Sequence, residues 1–131
     1  MCTYCNFSAK DENFIFETPF WMVLLAAEQS YVGRSIVVLK RHVASLSELS
    51  SEELADFGVV VKNFEVSVKK SFDATMFNWT CMMNDFFRAA IPDPHVHWHA
   101  RPRYNHTVEV AHVRFTDPEF GQHYSRDRMQ E

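Results

Sequence analysis

Residues 95–99 read His95-Val96-His97-Trp98-His99, three imidazoles alternating with two apolar side chains. That is the period of a β-strand, where residues i, i+2 and i+4 share a face, so the rings point outward together while Val96 and Trp98 enter a core. At a rise of ~3.3 Å per residue, neighbouring rings start about 7 Å apart and the outer two about 13 Å apart. A neutral imidazole nitrogen is a nucleophile toward phosphorus, and the phosphoramidate it forms is labile enough to be hydrolysed again. His97, flanked on its own face by the other two rings, is the candidate nucleophile. His99 belongs to the side-chain type that titrates near neutral pH, so it is the candidate proton donor to a leaving group. His95 lies too far from His99 for both to act on one atom and is assigned a supporting role.

Metal chemistry competes for the same residues. His-x-His on a strand suits zinc, but a catalytic zinc needs a third ligand and an open position for water. The chain has no HExxH, and Asp93 is the one acidic residue near the triad in sequence. Cys2-x-x-Cys5 offers two thiols, two short of a structural zinc set, and no strand precedes it as one would in a thioredoxin-type pair. Lys40, Arg41, Arg101 and Arg103 gather near strand ends, where they either hold phosphates or form a solvated rim. His106, His112 and His123 read as surface residues, and Cys81 as a core thiol.

The elements around these residues follow from local pattern. Residues 13–26 predict two strands hinged at Thr18-Pro19, and 27–35 a connection carrying Gly33. Ile36-Val37-Val38-Leu39 predicts a buried strand ending in the basic exit Lys40-Arg41-His42. Ser50 and Glu53 form a capping box for a helix over 51–72, with Leu54, Phe57, Val61, Phe64 and Val68 as its core face and Lys69 and Lys70 in its last turn. Residues 76–83 alternate, 85–94 read as a loop containing Pro92-Asp93-Pro94, and Pro102 is expected to end the histidine strand. Val108, Val110 and Val113 suggest one weak further strand. Strands, one long helix, then strands joined by short connections make an α+β domain, with antiparallel pairing, the helix on one sheet face and the histidines on or near the other.

Composition sets the outer limits. With 131 residues, 47% hydrophobic and 12 Phe, the chain can bury the core of one domain without disulfides. A net charge of −4 gives no basic field for nucleic acid. No apolar run reaches the ~20 residues that span a bilayer, and no secretory leader is visible, so membrane and export are not expected. Three cysteines, an odd count, favour a reducing, cytoplasmic setting.

The triad followed by Arg101-Pro102-Arg103-Tyr104 resembles the signature of the histidine triad (HIT) superfamily. Upstream, Gly33-Arg34-Ser35-Ile36-Val37-Val38-Leu39-Lys40-Arg41-His42 resembles that superfamily's glycine, strand and basic-plus-histidine exit, with a long helix after it. Asn84, eleven residues before His95, falls where the superfamily places an Asn or Gln facing the nucleotide. The resemblance covers about residues 2–104 of a single 1–131 domain, leaving 105–131 as a C-terminal extension. It implies an antiparallel sheet of about five strands with one long helix packed on it. It also implies a nucleotide hydrolase or transferase acting at the α-phosphate of a nucleoside phosphoramidate or dinucleoside polyphosphate, through a nucleotidyl intermediate on His97. His99 would assist the leaving group, no cofactor would be required for the chemistry, and the chain would form a homodimer with a continuous sheet. By the same resemblance Cys2, Cys5, His42 and His95 would hold a structural zinc, the alternative being free thiols.

Three departures stand out. Arg34 replaces a histidine; it cannot shuttle protons but can clamp phosphate, which with Arg101 makes it a candidate substrate contact. Ala90-Ile91-Pro92 replaces the usual Gly-Gln-Ser/Thr segment. Ala26 replaces an acidic or amide ribose contact, with Glu28 or Gln29 as substitutes. Two other functions stay open: a nucleotide-binding protein with little turnover, and a zinc-dependent hydrolase using the triad.

Overall fold

A computed structural model describes residues 2–123. Five strands, β1 (Phe14–Glu17), β2 (Trp21–Leu25), β3 (Ser35–Leu39), β4 (Met76–Thr80) and β5 (His97–Arg103), form one antiparallel sheet in the order β1-β2-β3-β5-β4. Helix α1 (Ser51–Phe72) covers one face. Its start is fixed by the expected capping box, with the Glu53 amide donating to Ser50 Oγ (3.1 Å) and the Ser50 amide to Glu53 Oε1 (2.8 Å). Between helix and sheet lie Trp21, Val23, Val37, Val60, Phe64, Val68, Val96 and Ala100. Phe57 stacks on Trp98 at 4.8 Å and meets Trp21 at 5.1 Å, which places the triad strand's apolar side under the helix as its alternation requires.

Four local expectations change. The buried stripe of α1 runs through Glu53, Val60, Phe64 and Val68, while Leu54 is 55% exposed. Glu53 turns inward because Arg41 grips both its carboxylate oxygens (2.8 and 3.1 Å), so an ion pair, not an apolar side chain, fills the first turn. Pro102 does not end its strand. Its partner is Phe77 on β4, and pairing with β3 stops at Ser35↔Ala100. Arg103's carbonyl accepts from the Thr75 amide (2.9 Å), so the backbone of Pro102 faces the side where β3 has ended and no donor is missed. Within 85–94, a short helix α2 (Asn84–Arg88) follows β4, which stops at Thr80. Finally, the valines after Tyr104 form a hairpin, β6 (Val108–Val110) with β7 (Val113–Phe115). Its turn holds Ala111 and His112 in left-handed conformations (φ 49° and 66°), without the glycine that would have announced it.

Candidate active site

The sheet face away from α1 carries His97, His99, Arg101 and Arg103 from β5, level with Val38 and Ile36 of β3. His95 lies just before the strand. The row is not open to solvent, contrary to the alternation alone: His95 is fully buried, His97 is 3% exposed and His99 is partly exposed. The cover is aromatic. Tyr4 stands edge-on to His97 at 4.6 Å, and Phe86 of α2 at 5.6 Å. A cavity of about 350 Å³ adjoins this cover, walled by Tyr4, Phe7, Met22 and Val38; Val38 is His97's direct neighbour across the sheet.

Hydrogen bonds divide the ring nitrogens. His97 Nδ1 lies 2.8 Å from the His95 carbonyl oxygen, which only accepts, so Nδ1 carries the proton and Nε2 keeps its lone pair. Burial holds His97 below the usual histidine range, against the pull of that carbonyl. His99 Nδ1 lies 3.4 Å from Arg34 Nη2, a group that only donates, so Nδ1 accepts and the proton sits on Nε2. Burial first, then His97, Arg101 and Arg34, push His99 down to about 3. This corrects the expectation of a ring poised near neutral pH: His99 is a neutral imidazole throughout the working range.

Arg34 reaches His99 because Gly33 precedes it in a left-handed turn (φ 89°), packed so closely on Pro102 that a Cβ would lie 3.3 Å from its ring. The Arg34 side chain is 9% exposed; its other end meets Glu28 Oε2 at 3.5 Å, and its Nε–H has no partner among the described residues. Gln29 is consumed by the loop, taking the Gly33 amide (2.9 Å) and donating to the Ala26 and Arg34 carbonyls (2.8 and 2.7 Å), so it is not free to replace a ribose contact.

At the amino terminus, Cys2, Cys5, His42 and His95 converge, one ligand atom from each lying within 4.8 Å of the others. Both histidines turn Nδ1 to the thiols, His95 to Cys2 Sγ at 3.2 Å and His42 to Cys5 Sγ at 3.0 Å. Their Nε2 atoms are already committed, to the Leu39 carbonyl (2.6 Å) and to Asp93 (3.0 Å). Such outer partners are what orient histidines toward a metal, and the two-thiol, two-imidazole set fits tetrahedral zinc. The triad itself fits a metal poorly, since His99 Nδ1 faces a guanidinium.

The HIT domain family model matches residues 8–106. The chain belongs to the HIT family. The nitrilase and fragile histidine triad fusion protein NitFhit of Caenorhabditis elegans is 28% identical over 100 residues, which are 76% of this HIT chain and 22% of that protein. The chain thus spans less than a quarter of this relative's length. A hypothetical histidine triad nucleotide-binding protein from Sulfolobus tokodaii shares the HIT fold at a TM-score of 0.68 and 18% identity, over 98% of this chain and 85% of that one. A zinc-bound histidine triad family protein from Mycobacterium smegmatis does so at 0.57 and 20%, over 80% and 73%.

The basic residues do not all serve the HIT site. Lys40 pairs with Glu17 (3.4 Å) on the wall of the same cavity, while Arg41 is drawn away to Glu53 of α1. Arg103 is buried against Asp117 (2.6 Å), Asn78 (2.7 Å) and the Glu119 and Gln122 carbonyls, and pins the segment after β7 to the sheet. Arg101 is fully buried, donating to Thr80 Oγ1 (3.2 Å); it acts on His99 through its charge, not from a rim. Asn84 is exposed at the first position of α2, two residues from Phe86. Tyr4 and Phe86 were not singled out by sequence. The available signal for Tyr4 was its place between two cysteines that must reach the triad.

Proposed function

We propose that this HIT protein transfers a nucleotidyl group to His97 and then to water or another acceptor. In the first step Nε2 of His97 bonds to the α-phosphorus and the bond to the leaving group breaks; in the second, water attacks phosphorus and Nε2 recovers its electron pair. The observation that carries this reading is the 2.8 Å contact of His97 Nδ1 with the His95 carbonyl, which leaves Nε2 unprotonated and unhindered by tautomer exchange. The nucleoside would enter the cavity beside Val38, of a size within the usual range of ligand sites, and Tyr4 must swing aside for phosphorus to reach His97. Arg34 and Asn84 would contact the substrate.

Cys2, Cys5, His42 and His95 would hold one zinc. When bound, it supplies structure only, because four protein ligands leave no position for water. His95 then ties that centre to the nucleophile through its own carbonyl. The reading includes a homodimer joined through a sheet edge, and a cytoplasmic location; among the described residues no helix is long and apolar enough to cross a membrane.

A second reading, nucleotide binding with little turnover, is favoured by the burial of His97 under Tyr4. The test is turnover of diadenosine triphosphate by wild type and His97→Ala. Nucleotidyl transfer predicts that the variant loses at least about 10³-fold in kcat while binding survives within severalfold. Equal, near-zero rates in both, with binding intact, would support the second reading instead.

A further inference from the structure

We propose that Arg34 makes this site selective for nucleotides whose leaving group departs as a phosphate anion, and against those whose leaving group is an amine. The inference rests on the nucleotidyl-transfer reading above. It starts from what the two leaving groups need. When a P–O bond to a phosphate breaks, the electron pair leaves on oxygen, and phosphate, with a second pKa of about 6, accepts it as an anion that wants a cation, not a proton. When a P–N bond breaks, the pair leaves on nitrogen, and an amine, with a pKa of roughly 10, must take a proton as it goes.

The groups beside His97 meet the first need and not the second. His99 Nδ1 is occupied by Arg34 Nη2 at 3.4 Å, so this ring cannot gain a second proton without expelling the guanidinium. Its remaining proton, on Nε2, can be donated in a hydrogen bond, but giving it up would leave an imidazolate. The guanidinium gives up no proton at working pH. Burial of His99 between Arg34, Arg101 and His97 works in the same direction, holding the ring neutral.

Arg34 is also left unfinished by the fold. Nine-tenths of its side chain is buried, Nη1 reaches Glu28 only at 3.5 Å, and Nε–H has no partner among the described residues. A buried donor on a charged group is costly unless something accepts from it. A phosphate oxygen entering beside His99 would accept a hydrogen bond from that Nε–H, with Glu28 holding the far end of the guanidinium in place.

The test compares two substrates with the same adenylyl group, diadenosine triphosphate and adenosine 5′-phosphoramidate, by the rate at which each forms an adenylyl adduct on the intact chain. Wild type should react with the polyphosphate faster by about 10²-fold or more, the scale on which a general acid contributes. Arg34→His should narrow that ratio at least tenfold, slowing the polyphosphate and accelerating the phosphoramidate. Arg34→Gln should slow the polyphosphate more than the phosphoramidate, narrowing the ratio from the polyphosphate side. The wild-type ratio tests the selectivity even if a variant fails to fold, and the ratio in whichever of Arg34→His and Arg34→Gln folds tests that Arg34 sets it. A phosphoramidate rate equal to or above the polyphosphate rate, or a ratio untouched in folded Arg34→His, overturns the proposal while leaving nucleotidyl transfer standing. No adduct from either substrate removes nucleotidyl transfer and this inference with it.

Discussion

His97 owes its free nitrogen to the His95 carbonyl, and His99 owes its neutrality to burial beside cations. The pattern of residues 95–99 disclosed that three imidazoles share a strand face, because a period of two is a local property. It could not disclose their proton positions, which depend on Leu39, Arg34 and a cysteine 93 positions from its ring. Nor could it show that Tyr4 covers the nucleophile. That contact predicts an outcome for chemical modification. Tyr4→Ala should raise the rate at which diethyl pyrocarbonate modifies His97 severalfold, read by peptide mass spectrometry, while Tyr4→Phe keeps the ring and should match wild type. Equal rates in all three would show that Tyr4 does not shield His97 in solution.

Among the elements, α1 was legible to its ends, since capping box, apolar period and terminal charges all agree on residues 51–72. Its orientation was less so, because counting apolar residues overlooks a carboxylate that turns inward to meet Arg41. The Arg41 hydrogen bond, opposed by burial and helped by Ser50, holds Glu53 at about 2 against an ordinary 4.5. A carboxyl whose pKa is lowered by folding contributes stability fully above its unfolded value, and loses it as pH falls through the folded one. Glu53→Gln should therefore lower Tm by about 3–5 °C at pH 7, and the gap to wild type should close as pH is taken from about 4.5 toward 2. A gap that stays constant over that window would mean the ion pair is not what stabilises the first turn. The strand through Pro102 and the hairpin at Ala111-His112 escaped sequence reading for a related reason: each breaks a residue preference where a neighbouring strand has ended or a turn supplies the twist.

At the scale of the molecule, the order of strands and helix was enough to give the α+β sheet with its triad on the face opposite α1, because short connections leave few alternatives. What order could not give is how residues 2–5 and 117–122 close on that face. Arg103 draws in the segment around Asp117, and the Cys2/Cys5/His42/His95 set draws in the amino terminus. If that set holds zinc, native mass spectrometry should find one zinc per chain. A chelator should then lower Tm by roughly 10 °C, as expected when free metal exceeds its Kd a thousandfold and adds about 4 kcal/mol. Cys5→Ser should show the lower Tm without chelator. Indifference of wild type to chelator would leave the cysteines as free thiols.

The most direct measurement is the mass and position of a covalent product. After brief mixing with diadenosine triphosphate and digestion, the peptide containing residues 95–99 should carry one adenylyl group on His97, and none should form on His97→Ala. Tight nucleotide binding without any adduct, or an adenylyl group found on His99, would contradict the assignment of His97 as the atom that attacks phosphorus.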